Sequence, residues 1–310
     1  MKVQPLCGVC LFQRALKEIQ LATDDPLLQF ETLKAVINLF ANEFDENAIS
    51  AVLGTKRDRL IRQLTRCPDP YKELKKKSNE IALGLAPAIE NVLKGETDPY
   101  KRFRLAMLTA IVGNVLEFDI LEHSLDLEKP EYLQELLKNA EQDLAIDNIQ
   151  EMYQLVQSVK QALYLTDNAG EIVFDRFLIS ELLKLGVQVT VAVKQNPVLN
   201  DATLEDAEVS GLIALIQENS RLQIITTGTD HVGLILEELT EPFQSAFESA
   251  KFIIAKGMGY YETLADRALQ KPVAYLFRTK CSTVARDVGV QLGQNLALLR
   301  LNHNPRPNKV

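Results

Sequence analysis

Ligand-like side chains follow short apolar runs in the second half of this 310-residue sequence. The clearest case spans residues 163–171, where an apolar run ends at Asp167 and Asn168 and is followed by Gly170 and Glu171. Ligands of open α/β sheets bind at the carboxyl ends of the strands. If the apolar run is a buried strand, Asp167 and Asn168 stand at such an end. This stretch is therefore the first candidate for a functional site.

The oxygen donors near this stretch suit a hard divalent cation. Asp167, Asn168 and Asp201 would form an oxygen-rich ligand set, which Mg²⁺ or Mn²⁺ prefers over thiolate or imidazole. Asp and Asn after a strand are also common turn and cap residues. Glu171 either orients a ligand or complements the dipole of a following helix, whereas a structural role is expected for Asp175. Because several loops carry such residues, the ligand interpretation is favoured for the set.

Groups that bind phosphate follow the other predicted strands. Three lysines stand at such strand ends: Lys194, Lys256 and Lys280. Gly228 and Thr229, and the glycines at positions 257 and 259, can expose backbone N–H groups to an anion. Two carboxylates, a metal ion and lysines together fit phosphoryl transfer, in which catalysis is mainly positioning and neutralisation of charge.

The usual signatures of other enzyme classes are missing from the sequence. It contains no Walker A motif, no Gly-x-Gly-x-x-Gly after a strand and no Gly-x-Ser-x-Gly. None of the three histidines stands in a triad-like context, and His231 is interpreted as a helix-start residue. Cys7 and Cys10 form a single Cys-x-x-Cys, but a structural zinc site needs four ligands. We interpret the pair as a packed or locally paired feature, or as part of a metal site shared with a partner chain.

The overall composition limits the partners and the location of the protein. A net charge of −8 disfavours the phosphate backbone of a nucleic acid as a partner. The N-terminus lacks an apolar signal region, because Arg14, Lys17 and Glu18 interrupt it. The apolar run Leu105–Leu116 is too short to span a membrane and is interpreted as a buried core helix. Four cysteines are too few for a disulfide framework, so a cytoplasmic protein is expected.

Hydrophobic periodicity divides the chain into two parts. Apolar residues at three- and four-residue spacings predict six helices in the first half: Cys10–Ala22, Pro26–Phe44, Lys56–Thr65, Tyr71–Lys94, Lys101–Phe118 and Pro130–Leu144. After about residue 160, β-rich runs alternate with helical segments, one of them at His231–Leu239. The predicted strands are Ala162–Leu165, Val187–Val193, Leu222–Thr226, Phe252–Ala255 and Val273–Phe277. This alternation predicts an α/β domain with a parallel sheet, residues 158–310, after a helical domain, residues 1–157.

Several short motifs, taken in order, resemble those of the metal-dependent damage-control phosphatases. The motifs of the second half are Thr166–Glu171, Asn196–Ala202, Lys256–Gly259 and Lys280–Cys281. Asp69–Tyr71 and Gly113–Asn114 are similar to motifs of the family's helical domain. Cys7-x-x-Cys10 is similar to its short archaeal and bacterial branch, and another branch was described as acidic-residue methyltransferases. The resemblance covers nearly the whole chain.

This resemblance implies both a fold and a set of site residues. The fold is a helical N-terminal domain packed on a Rossmann-like α/β/α domain, with the site in the cleft. Asp167, Asn168 and Asp201 would hold a divalent metal ion, for which Mg²⁺, Mn²⁺, Co²⁺ and Ni²⁺ are the candidates. The two aspartates would be catalytic, together with Glu171 as a neighbouring site residue. Lys280 would meet the substrate phosphate.

The activity implied by the resemblance is hydrolysis of phosphomonoesters, particularly sugar phosphates or damaged phosphorylated metabolites. Asn114, together with Gly113, would line the cleft from the helical side. Either a water molecule or a carboxylate attacks phosphorus. Tyr260 stands where the family often has Asn, so substrate specificity is not carried over from the family.

Two other functions are compatible with these residues. An S-adenosylmethionine-dependent carboxyl methyltransferase also uses a Rossmann-like sheet, but no glycine-rich loop follows the first predicted strand, and Asp167 puts charge there. A non-catalytic module would bind metal and phosphate without turnover. Titration with the methyl donor tests the first alternative, and a phosphate-release assay with several metals tests the second.

Overall fold

The first half of the protein is helical, as its periodicity predicts. The computed structural model describes the backbone of residues 1–122 and 130–301, and the side chains of residues 1–113 and 133–301. Its first helices are α1 (Pro5–Ala22), α2 (Pro26–Glu43), α3 (Ser50–Thr65), α4 (Lys72–Gly95), α5 (Pro99–Glu122) and α6 (Pro130–Gln142). Helix α1 begins at Pro5 rather than Cys10, because Gln4 and Cys7 form a capping box ahead of the predicted start.

A seven-stranded sheet forms the second part of the described structure. Its strands are β1 (Leu144–Asp147), β2 (Gln161–Leu165), β3 (Gln188–Val193), β4 (Leu222–Thr226), β5 (Phe252–Lys256), β6 (Val273–Arg278) and β7 (Asn295–Arg300). They lie in the order β1-β7-β6-β5-β2-β3-β4. Strands β2 to β6 are mutually parallel, whereas β7 runs antiparallel to β6 and parallel to β1. The five expected strands are therefore present as one parallel set.

Helices cover both faces of the sheet. They are α7 (Ile149–Ser158), α8 (Glu171–Lys184), α9 (Leu204–Val209), α10 (Leu212–Glu218), α11 (Phe243–Ser249), α12 (Gly257–Leu264) and α13 (Ser282–Val288). Helices α4, α5 and α8 share one apolar core with the sheet, and helices α11, α12 and α13 share another. Helices α1 to α3 enclose a third, smaller core. The predicted α/β class is confirmed.

Two strands of the sheet do not appear among the predicted elements. Strand β1 is a four-residue segment directly after α6, and β7 reads as Asn-Leu-Ala-Leu-Leu-Arg, which carries no strand-like alternation. Strand β1 precedes residue 158 yet pairs with β7 in the same sheet. The division into domains at residues 1–157 and 158–310 stays a prediction.

The helix predicted at His231–Leu239 is wrong. The carbonyl groups of His231 and Gly233 accept hydrogen bonds from Lys194 Nζ at 2.7 and 2.8 Å. Because a buried ammonium group takes these carbonyl groups, they are not used in an intrahelical ladder. A short 3-10 turn at residues 236–238 is the helical part of this segment, and α11 follows it.

Helix α5 contains the apolar run at residues 105–116, and its described side chains lie in the core. Ala106, Leu108, Ile111 and Val112 are buried, which agrees with the predicted core helix. In the part of the chain that the structure describes, no helix combines the length and the apolar character needed to cross a membrane.

Candidate metal and phosphate site

The candidate residues gather at one edge of the sheet because five parallel strands end there. From β2 the chain continues outward to β3 and β4, whereas β5 and β6 lie on the other side of β2. Ligands of such sheets bind in the crevice where the order reverses. Here that point lies between β2 and β5. Asp167 lies in the loop after β2, and Lys256 is the last residue of β5.

Backbone hydrogen bonds join the loop after β2 to the loop after β3. Ala202 N donates to the Asp167 carbonyl at 2.8 Å, and Ala169 N donates to the Asn200 carbonyl at 2.9 Å. Asn168 and Asp201 form an isolated antiparallel bridge. The three predicted metal ligands therefore come from two loops that are fixed side by side.

The side chain of Asn168 is oriented by two carboxylates. Its Nδ2 donates to Asp167 Oδ2 at 2.8 Å and to Glu171 Oε2 at 3.0 Å. A primary amide has two N–H donors, so both are used, and Oδ1 is left as the group that can bind a cation. The described residues contain no group of three or more His, Cys, Asp and Glu side chains arranged for a metal. The candidate set instead has two aspartates and one amide oxygen, which fits a hard cation.

Lys256 is buried in an ion-pair network and does not face a phosphate position. Its Nζ donates to Glu171, to Asp175 Oδ1 at 2.8 Å and to the Ala110 carbonyl at 2.9 Å. An ammonium group has three donors, so the predicted phosphate contact of Lys256 is not supported. Tyr164 donates to Asp175 Oδ1 at 2.7 Å. The network fixes Glu171, which in turn holds the Asn168 amide.

The pKa values of the charged groups in this network depend on burial and on the charges that surround each group. Burial raises the pKa of Asp175 to about 6, although the charge of Lys256 opposes this rise. For Lys256, burial alone would lower the pKa, but the charges of Asp175 and Glu171 outweigh burial and raise it. The lysine therefore stays charged between its two acidic partners.

Lys194 also acts within the protein rather than toward the solvent. Its side chain is buried, and besides the carbonyl groups of His231 and Gly233 its Nζ lies 3.5 Å from Asp201 Oδ2. Burial raises the pKa of Asp201 to about 6, and the ammonium group of Lys194 opposes this rise. Lys194 therefore ties the loop after β4 to Asp201.

Gly257 is the residue that lets α12 approach Asp167. Its φ is +78°, in the left-handed region, and a Cβ at this position would overlap the Asp167 carboxylate. The negative charge of Asp167 thus lies against the N-terminus of α12, where the helix dipole stabilises it.

The remaining predicted phosphate-binding residues occupy three different places. Lys280 is half-buried after β6, and its backbone N donates to Met258 Sδ of α12 at 3.4 Å. The Thr229 carbonyl accepts from Gln195 N at 3.1 Å, and Gly228 has a φ of +74° with Thr240 packed against it. Asn114 belongs to α5, but its side chain lies outside the described residues.

Three residues of the helical half that sequence reasoning missed act on the site, and two of them hold its loops. Asn79 Oδ1 accepts from Gly170 N at 2.6 Å, and Asp58 Oδ1 accepts from Leu199 N at 3.1 Å. Lys75 is buried, and its charge opposes the rise that burial causes in the pKa of Asp201. The sequence of α4 could have indicated that these two positions are buried, because positions 75 and 79 lie on the same face of the helix as its buried apolar residues.

The cysteines do not form a metal cluster or a disulfide. Cys7 is buried with its Sγ 4.0 Å from Thr283 Oγ1, whereas Cys10 is exposed. All four cysteines, Cys67 and Cys281 included, are free thiols. Cys7 is therefore a packed residue, as one of the interpretations of the motif expected.

The fold and the site define a class: an α/β protein with oxygen ligands for a cation at the switch point of its sheet. The model of the damage-control phosphatase ARMT1-like domain matches residues 3–296, and the chain belongs to this family. An uncharacterised protein of Methanocaldococcus jannaschii is 38% identical over 96% of each chain. A damage-control phosphatase of Archaeoglobus fulgidus is 34% identical over 96% of this chain and 99% of its own.

A solved structure shares the fold. The crystal structure of a DUF89 family protein of Pyrococcus horikoshii has a TM-score of 0.85 and 33% identity, covering 98% of this chain and 100% of its own. The family assignment confirms the predicted phosphatase class. It does not favour the methyltransferase or the non-catalytic binding module.

Proposed function

We propose that this protein is a phosphatase that uses a divalent metal ion to hydrolyse phosphomonoesters such as sugar phosphates or damaged phosphorylated metabolites. The observation that carries the proposal is the orientation of Asn168, whose two amide hydrogens are held by Asp167 and Glu171. This leaves an amide oxygen next to two aspartates at the switch point of the sheet. Membership of the damage-control phosphatase ARMT1-like family supports the same conclusion.

Asp167, Asn168 and Asp201 would hold the metal ion. When bound, the ion supplies charge neutralisation at a phosphoryl oxygen. Oxygen ligands of this kind favour Mg²⁺ or Mn²⁺, and Co²⁺ and Ni²⁺ are the further candidates to assay. Asp167 and Asp201 are the proposed catalytic residues.

Lys280 is the proposed phosphate-binding lysine. It follows β6, the neighbour of β5, and stands at the same edge of the sheet as the metal ligands. Backbone N–H groups near Gly228 and Thr229 would meet other phosphate oxygens, and Asn114 would line the cleft from α5. Three charged residues would position these ligands. Glu171 orients the Asn168 amide, Lys256 fixes Glu171, and Lys194 lies beside Asp201.

Substitution of Asp201 by Asn tests the proposal. Asp201→Asn keeps the volume of the side chain and an acceptor for Lys194, but removes the charge that attracts the cation. We expect metal-dependent phosphate release from p-nitrophenyl phosphate to fall about 100-fold or more. Isothermal titration with Mn²⁺ should show weaker binding, while the circular dichroism spectrum is retained.

A matched control is Glu248→Gln, which removes a charge from the exposed surface of α11. It should retain wild-type turnover. If purified Asp201→Asn turned over at the wild-type rate with each of the four metals, the assignment of Asp201 would be wrong. A panel of sugar phosphates and nucleotides then identifies the substrate class.

A further inference from the structure

Tyr260 has a buried hydroxyl group that no described residue satisfies. Its side chain is 1% exposed, and its Oη makes no hydrogen bond of normal geometry with a described residue, although the ammonium group of Lys194 lies beside it and interacts with it. Leaving a buried hydroxyl group without a partner costs about 1–3 kcal/mol. A group of this kind therefore calls for a partner that the described residues do not provide.

The tyrosine stands next to the candidate metal ligands. Helix α12 begins at Gly257, against the Asp167 carboxylate, and Tyr260 lies three residues on, on the same face of the helix. Lys194 Nζ lies 4.7 Å from the centre of the Tyr260 ring and 3.5 Å from Asp201 Oδ2. The ring is thus placed beside both aspartates of the candidate site.

Lys194 cannot satisfy the hydroxyl hydrogen. An ammonium group has three donors and no acceptor, and two of these donors are directed at the carbonyl groups of His231 and Gly233. The third faces Asp201. A metal cation cannot accept a hydrogen bond either. The missing partner is consequently an acceptor, and a phosphoryl oxygen is the acceptor that the proposed reaction brings to this place.

We infer that the hydroxyl group of Tyr260 donates a hydrogen bond to a phosphoryl oxygen of the bound substrate. This inference rests on the proposed function and adds a substrate-binding residue to it. Tyr260 acts on the phosphoryl group and not on the metal, so its removal separates phosphate affinity from metal affinity.

The test is Tyr260→Phe, which removes one oxygen atom and keeps the ring over which Lys194 lies. Inhibition by inorganic phosphate should weaken about tenfold, which corresponds to about 1.4 kcal/mol. The kcat/KM for p-nitrophenyl phosphate should fall to a similar extent. The dissociation constant for Mn²⁺ alone, from titration calorimetry, should stay at the wild-type value.

A matched control removes the same atom from another buried ring. Tyr275 of β6 packs against Tyr261 with ring centres 5.3 Å apart, and Tyr275→Phe should leave the phosphate inhibition constant unchanged. Thermal melts with and without phosphate give a second measurement, in which Tyr260→Phe should lose most of the phosphate-dependent rise in Tm.

Two outcomes would overturn the inference while leaving the proposed function intact. In the first, Tyr260→Phe binds phosphate as the wild type does, so that the hydroxyl group meets only an internal water molecule. In the second, the variant loses Mn²⁺ affinity as well, so that the tyrosine orders the metal ligands. A wild-type protein that neither binds phosphate nor hydrolyses the ester would instead overturn the proposed function, and this inference with it.

Discussion

At the scale of single residues, Asp167 meets two requirements at once. Its carboxylate accepts a hydrogen bond from Asn168 and also lies against the backbone of Gly257. The hydrogen bond orients the amide, and the close approach fixes the carboxylate at the start of α12. A side chain at position 257 would therefore disturb a proposed metal ligand directly.

We expect Gly257→Ala to impair the site more than the fold. The new Cβ would overlap the Asp167 carboxylate and displace it from the position next to Asn168. Phosphatase activity should fall at least about tenfold and Mn²⁺ binding should weaken, since a small misplacement of a ligand has effects of this size. Steady-state kinetics and titration calorimetry measure both.

Gly289 provides the control for backbone strain. Its φ is +81°, close to that of Gly257, but a Cβ there would meet no atom within 4 Å. Gly289→Ala should cost about 1 kcal/mol of unfolding free energy through its left-handed backbone and leave activity unchanged. Equal losses of activity in both variants would show that strain, and not the contact with Asp167, is responsible.

At this scale the sequence predicted residue types better than contacts. Asp167, Asn168 and Asp201 were identified because they follow strands, and strand ends meet at one edge. The partners of Lys256 could not be predicted, because they are distant in the sequence. Glu171 and Asp175 precede Lys256 by 85 and 81 residues, and Ala110 precedes it by 146 residues. Sequence spacing alone does not show that Lys256 is buried whereas Lys280 is only half-buried.

At the scale of elements, the contact between α5 and α8 supports the site. Helix α8 carries Glu171 and Asp175, and α5 supplies the Ala110 carbonyl that completes the bonding of Lys256. Gly113 of α5 allows the approach, because a Cβ there would lie 2.9 Å from Phe174 Cδ2 and 3.1 Å from Glu171 Cγ. The two helices are therefore packed with little space between them.

Gly113→Ala should destabilise the protein despite the higher helix propensity of alanine. Overpacking of a core contact costs about 1–3 kcal/mol, and chemical denaturation measures the change. Gly84 of α4 is a matched control, since a Cβ there meets nothing within 4 Å. Gly84→Ala should stabilise the protein by about 0.5–1 kcal/mol, so stabilisation by both variants would contradict the packing argument.

The sequence also predicted elements unevenly. Strands β2 to β6 are apolar and rich in branched residues, and this pattern was sufficient to predict all five strands. The segment at residues 231–239 carries leucines and glutamates at helical spacing, yet Lys194 takes two of its carbonyl groups. A tertiary hydrogen bond of this kind overrides local propensity.

At the scale of the whole molecule, arginines of α3 join the helical half to the sheet. Arg59 and Arg62 both bond to Asp230, which follows β4, and Arg62 also bonds to Asp58. Although burial opposes the shift, the hydrogen bonds from Arg59 and Arg62 lower the pKa of Asp230 to about 2. The interaction thus depends on a carboxylate that stays ionised in mild acid.

Asp230→Asn should reduce stability in a pH-dependent way. Because the pKa is lower in the folded state, the wild type gains stability above the unfolded pKa near 4 and loses it as the pH falls toward 2. We expect a difference in unfolding free energy of about 1–2 kcal/mol at pH 6, shrinking toward zero near pH 2. Urea denaturation over this pH range measures it.

Asp24→Asn, at an exposed position before α2, is the control for loss of one negative charge. Its unfolding free energy should follow the wild type across the range. A constant difference between Asp230→Asn and the wild type down to pH 2 would contradict the ionic origin of the effect.

The helical half of the molecule was also the part whose role in the site could not be predicted. Asn79 and Asp58 lie about 90 and 140 residues before the loops that they bond, and a single sequence does not show which distant residues meet. Their bonds explain why the site needs both halves of the chain.

The placement of β7 between β1 and β6 has a consequence for the order of folding. Leu144 of β1 pairs with Asn295 of β7, and β7 is the last strand of the described chain. During synthesis β1 emerges long before β7, so the backbone groups of β1 and one edge of β6 stay unpaired until β7 has been made. Closing so long a loop is slow. We expect the five parallel strands to assemble first, and the sheet to be completed when β7 pairs between β1 and β6.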